Sequence, residues 1–125
     1  MNPTEFNFTL PKGLVDADGH LHRHGTMRLT TAKDELFVQR DYRAREIPGY
    51  GFLLLLSRTI SRLGNLTALP PELLEELFTL DIAYLREFYN RINQQGTAAV
   101  PARCPQCNCT FSTELILAGE PQATP

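Results

Sequence analysis

The stretch from Gly49 to Leu63 constrains this chain more than any other. Phe52, Leu53, Leu54, Leu55, Leu56, Ile60 and Leu63 cover most of a helix circumference there. A helix that is apolar on nearly every side is stable only when other elements surround it. The pattern predicts a central core helix over residues 49–63, closed by Gly64 as a left-handed residue just past the helix end. The longest apolar run, Phe52 to Leu56, ends at Ser57-Arg58 and falls far short of the roughly 20 residues a bilayer-spanning helix needs.

The flanking segments supply what would surround that helix. Phe6, Phe8 and Leu10 alternate with Glu5, Asn7 and Thr9, the period of a half-buried strand. Asp16-Ala17-Asp18-Gly19 is a turn signal, and beyond it Met27 and Leu29 share one face while Thr26, Arg28 and Thr30 share the other. Residues 4–30 therefore read as two or three short antiparallel strands. Thr31-Ala32-Lys33-Asp34 has the form of a capping box, with Asp34 placed to bond back to the Thr31 N–H. The helix behind it carries Leu36, Phe37 and Val38 and should stop before Ile47-Pro48, because the residue before a proline is pushed out of the helical region. Pro70-Pro71 opens a third helical segment, with Glu72, Glu75 and Glu76 in its first turns, as the helix dipole favours. From there Leu74, Leu77, Phe78, Leu85, Phe88 and Ile92 form an apolar stripe running towards Gly96.

Asp81 interrupts that stripe. It either N-caps a new helix after a break near Thr79-Leu80, or sits mid-helix and pairs with Arg58 or Arg62; a carboxylate left unpaired there would be costly. Arg58, Arg62, Arg86 and Arg91 are expected on solvated faces.

Composition excludes more than it selects. A chain of 125 residues makes one domain. A formal charge of −2 argues against a nucleic-acid binder, which needs a basic surface. The N-terminus lacks the basic and apolar regions of a secretory signal. The three cysteines all lie within Cys104 to Cys109, so no disulfide framework can staple the rest, and a reducing cytoplasm is the simplest setting. There is no G-x-S-x-G, P-loop, dinucleotide fingerprint or H-E-x-x-H, so catalysis finds no support. A thiol redox role for Cys104 would expect a helix N-terminus behind the CxxC, whereas here a linker precedes it and a strand-like Thr113 to Leu117 follows.

The cysteines are the first candidates for metal. Cys104 and Cys107 have the spacing of a zinc knuckle, Pro105 stiffens the turn and Asn108 tolerates the left-handed conformation. Cys109 is a candidate third zinc ligand, and the fourth could come from His20, His22 or His24 or from a second subunit. The competing reading is a tight, metal-free turn. His20, His22 and His24 would share one face of a strand, as a metal site needs, but a polar hairpin edge beside an Asp-Gly turn is the favoured reading, since no carboxylate or cysteine is locally tied to them.

The order of these features carries a resemblance. Leu10-Pro11-Lys12-Gly13, Asp16, Asp18-Gly19, Gly25 and Met27-Arg28-Leu29 run into Thr31-Ala32-Lys33-Asp34-Glu35. The apolar helix closing at Leu63-Gly64 follows, then Leu69-Pro70-Pro71-Glu72, and finally Leu77, Asp81, Leu85 and Tyr89. Over about residues 10–95 this resembles the tail-assembly chaperones of contractile-tailed phages and of phage-derived contractile injection systems. The Cys-bearing end resembles variants that add a half zinc ribbon, while Cys109 and the histidine-rich hairpin depart from the pattern. The resemblance implies a non-enzymatic protein that coats a tape-measure protein, keeps it soluble, and leaves as tail-tube subunits assemble. Leu77, Asp81, Leu85 and Tyr89 match its helix pattern and are the partner-binding candidates, with an apolar groove between the second and third helices as the place of contact.

The expected architecture is α+β. An N-terminal antiparallel β-hairpin and three or four packed helices occupy residues 1–96, a half zinc-ribbon-like knuckle 97–118, and a disordered tail 119–125. The rival function is a zinc-binding adaptor that uses the C-terminal CxxC knuckle.

Overall fold

The computed structural model describes residues 4–96, 100–103 and 110–113. The alternating N-terminal segment forms β1 (Glu5–Val15), which pairs antiparallel with β2 (Leu21–Arg28) through the Asp16–His20 turn. Phe8 and Leu10 on β1 and Met27 on β2 point into the core, as their period predicts. The pairing is not uniform. Thr9 faces His24 and Leu14 faces His22, so five residue steps on β1 oppose two on β2. The surplus residues form a bulge at Pro11-Lys12-Gly13, with Gly13 at a φ of +100°.

The helices follow in chain order: α1 (Ala32–Arg40), α2 (Tyr42–Glu46) and α3 (Tyr50–Thr59). The capping box forms as expected: Thr31 Oγ1 accepts from the Asp34 N–H at 3.3 Å, and Asp34 Oδ2 accepts from the Thr31 N–H at 2.8 Å. Asp41 ends α1 and caps α2, its carboxylate accepting from the Arg43 N–H at 2.9 Å.

The core helix is shorter than its apolar pattern predicts. It ends at Thr59, and Ile60–Leu63 forms β3, antiparallel to β2. The N-terminal unit is therefore a three-stranded sheet in the order β1-β2-β3 rather than a hairpin. Paired with β2, Ile60 and Leu63 still reach the core, which is why the hydrophobic pattern did not reveal the change of backbone. Gly64 has a φ of +60° but closes a strand, not a helix. Gly25 permits β3 to approach: a Cβ there would stand 2.5 Å from both the Phe8 ring and the Arg62 carbonyl oxygen.

The Pro70-Pro71 signal starts only a single turn, α4 (Pro71–Leu74), and the long α5 (Thr79–Gln95) begins after a break. α5 ends at Gly96, whose φ is +76°. Its Leu85, Phe88 and Ile92 pack with the sheet residues and with Leu56 of α3 into the main core, where Phe8 meets Phe88 edge to face at 5.7 Å between ring centroids. A separate two-stranded hairpin joins β4 (Val100–Arg103) to β5 (Thr110–Thr113). β5 thus begins three residues before the strand expected from Thr113. Residues 114–117, the knuckle residues Cys104, Cys107 and Cys109, and the tail 119–125 lie outside the described residues.

Candidate functional site

The partner-binding candidates on α5 occupy the interior. Asp81 and Leu85 are completely buried, Leu77 is buried before the helix starts, and Tyr89 is half-buried, its ring edge to face with Phe52 of α3 at 5.7 Å. Arg86 lies over the same Phe52 ring, 4.3 Å from its centre. In the region where an apolar groove between the second and third helices was expected, Phe52 of α3 and Tyr89 of α5 are in ring contact.

Asp81 neither N-caps α5 nor pairs with an arginine. It sits in the first turn, behind an N-cap residue, Phe78, that makes no side-chain capping bond. Its two oxygens accept from the backbone N–H groups of Lys12 at 2.8 Å and Gly13 at 2.9 Å. These are bulge donors that β2 cannot reach, and buried amides of this kind must find an acceptor. One turn on, the Tyr84 hydroxyl accepts from the Thr9 N–H at 3.3 Å. α5 therefore covers the outer edge of β1 with a carboxylate and a phenol, which blunts an edge open to pairing with other chains.

The second buried carboxylate, Asp34, gathers three elements. Arg28 of β2 donates to both of its oxygens at 2.7 and 2.9 Å, and Arg58 of α3 donates to Oδ1 at 2.9 Å. The two guanidinium groups and the Thr31 N–H hold its carboxyl far below the usual carboxylate range, Arg28 contributing most. Arg58 is thus a partly solvated charge paired with a buried one; its guanidinium also stacks 4.1 Å from the centre of the Phe37 ring.

What remains outward is the other side of α1 and α2. Only Asp34 and Val38 of α1 are buried, and no residue of α2 is. The pair rests on a small cluster of Val38 with Tyr50 and Leu54 of α3, and α2 is tied to α4 by Arg43–Glu72 at 2.9 Å. Leu36, Phe37, Tyr42 and Ile47 are consequently 52%, 49%, 59% and 45% exposed. These four apolar side chains fall within twelve residues of chain, a density that a solvent-facing helix pair does not need. The sequence held the signal: Leu36, Phe37 and Val38 are consecutive, and successive positions on a helix point 100° apart, so a core that takes Val38 leaves the other two outside.

The histidines separate. His22 is buried and its Nε2 lies 2.8 Å from Asp16 Oδ2, whereas His24 is exposed and meets Thr9 Oγ1 at 3.1 Å. The expectation that no carboxylate is tied to them is corrected by Asp16. Its Oδ1 accepts from the Asp18 and His20 N–H groups, both at 2.9 Å, in an Asx turn. The His22 hydrogen bond and then these backbone bonds lower its carboxyl to about 2. Asp16 was legible as turn chemistry but not as a histidine partner, because the inward His22 ring packs on Gly64, a residue 42 positions along the chain.

No family model, curated protein or solved structure matches this chain.

Proposed function

We propose that this protein is a non-enzymatic assembly factor, a tail-assembly chaperone of a phage-like contractile system that holds a tape-measure-type helical partner. The observation that carries the reading is the set of four half-exposed apolar side chains along α1, α2 and its C-cap: Leu36, Phe37, Tyr42 and Ile47. An amphipathic helix binds by laying its apolar face against such a surface, and a long apolar helix of that kind needs such cover to stay soluble. The charges at that surface are mixed, with Lys33, Arg40 and Arg45 beside Glu35 and Glu46, which suits transient capture better than one fixed charge pattern. The buried carboxylates Asp34 and Asp81 support the same reading, since structural bonds occupy both. Among the described residues, no helix is long and apolar enough to cross a membrane.

Co-expression with a tape-measure-like protein, followed by pull-down, tests the proposal. The wild-type chain should retain the partner. Phe37→Glu and Ile47→Glu, which alter exposed side chains, should keep the fold by circular dichroism and lose at least tenfold in capture. Equal capture by wild type and both variants would move the binding surface elsewhere; no capture by the wild type would end the chaperone reading.

A second reading, a zinc-binding adaptor, draws on the β4–β5 hairpin. Its strands bracket the segment holding Cys104, Cys107 and Cys109, the framework on which a zinc-ribbon knuckle is built. Metal analysis of the purified protein tests it, and a zinc-free protein would exclude it.

A further inference from the structure

The turn between β1 and β2 holds a donor set that neither reading uses. Donor atoms of Asp16, Asp18 and His20 all lie within 4.8 Å of one another. His22, buried at the base of the turn, directs Nε2 at the same Asp16 oxygen, 2.8 Å away, which His20 Nδ1 approaches from the open side at 3.8 Å. We propose that this turn is a binding site for one divalent transition-metal ion of the zinc class, held by His20 Nδ1, His22 Nε2 and the carboxylates of Asp16 and Asp18.

Three features set this cluster apart from surface acids gathered by chance. The Asp16 carboxylate is oriented: its Oδ1 is occupied by the Asp18 and His20 N–H groups at 2.9 Å, which leaves Oδ2 as the donor. Such outer hydrogen bonds are how proteins aim a ligating carboxylate. The His22 ring is immobilised, 6% exposed and packed so closely on Gly64 that any Cβ there would collide with it. The backbone of the turn is closed as well, by the Asp16 N–H to the His20 carbonyl and the Gly19 N–H to the Asp16 carbonyl, both 3.0 Å.

The donor chemistry selects the ion. Two imidazole nitrogens with two carboxylates suit zinc, nickel or copper, while calcium and magnesium prefer oxygen alone. A tetrahedral zinc site with bonds near 2.0–2.1 Å places its donors roughly 3.3 Å apart. His22 lies outside the group whose donor atoms are all within 4.8 Å, so His20 and Asp18 must swing towards it by more than about 1.5 Å, which their exposure permits. His22 would enter as the neutral imidazole, exchanging its bond to Asp16 for the metal. The ion would clip the turn to the ring that rests on Gly64, joining the hairpin to the end of β3.

Titration of the full-length chain with zinc chloride, followed by long-range 1H–15N spectra of the histidine side chains, tests the site at its own ligands. His20 and His22 should shift together and saturate at one ion, with His24 unmoved. His20→Ala and Asp18→Asn, both at exposed positions, should each weaken the His22 response at least tenfold, and His24→Ala should leave it unchanged. Zinc uptake without movement of His20 and His22 would overturn the proposal. So would equal weakening by His24→Ala and His20→Ala, the mark of diffuse binding to a histidine-rich surface.

Discussion

Asp81 takes its hydrogen bonds from the Lys12 and Gly13 backbone in a place where nothing about its neighbours in sequence points to residues 68 or 69 positions away. On the apolar stripe of α5 a carboxylate reads as a cap or half of an ion pair, because those are the partners sequence can supply. The bulge in β1 provides others. Replacing Asp81 by Asn would turn an amide N–H₂ towards one of two N–H donors, breaking one bond and opposing donor to donor. The expected loss is about 1–3 kcal/mol of stability. Asp81→Ala, which removes both acceptors, should cost more. Urea denaturation would check both, and an Asn variant as stable as wild type would show that these bonds do not hold the bulge. Tyr89, by contrast, is half-buried and meets Phe52 edge to face.

Among the elements, β3 is the one that local sequence hides. Ile60 to Leu63 continues an apolar helical pattern, yet Ile60 adopts an extended backbone at φ −76° and ψ 111°. The free edge of β2 offers a hydrogen-bonded ladder there, and Thr26 Oγ1 lies 2.7 Å from Ser61 Oγ across it. Tertiary pairing outweighs helix propensity, which amounts to only tenths of a kcal/mol per residue. Gly64 is what lets this strand turn away beneath His22. Gly64→Ala should cost at least about 2 kcal/mol, adding displacement of the His22 ring to left-handed strain of about 1–2 kcal/mol. Gly49 has a φ of +83° with no atom within 4 Å of a Cβ built there, so Gly49→Ala should show the strain alone. Thermal denaturation of the two variants separates these effects, and equal losses would dismiss the His22 contact. The α1–α2 pair is a milder case: the single helix expected before Ile47-Pro48 breaks at Asp41, which ends α1 and caps α2.

At the scale of the whole molecule, Asp34 joins the sheet, α1 and α3 through Arg28, Thr31 and Arg58. Its folded carboxyl titrates well below its unfolded value of about 3.9, so the stability it contributes is fully present above that value. That contribution is lost progressively as pH falls below about 4 towards the folded value. Stability measured in denaturant should therefore drop between pH 6 and pH 3. Asp34→Asn should cost about 3 kcal/mol at pH 7, the low end for breaking a buried pair, since the arginines stay 33% and 27% exposed. The variant should also show a flatter acid limb; an unchanged limb would remove Asp34 as its source. Much of the fold was legible beforehand. The alternation of Phe6, Phe8 and Leu10, the Thr31–Asp34 capping box, the proline start of α4 and the end of α5 at Gly96 are all local signals, set by backbone sterics and hydrophobic period within a few residues. The third strand, the partner of Asp81 and the inward turn of His22 were not legible. Each depends on which distant backbone or side chain occupies the neighbouring space, and one sequence read along its length carries no measure of that. The chain by itself determined where its elements begin and which residues are apolar; only the packing of α5 and β3 onto the hairpin decided which of those residues became core and which became surface.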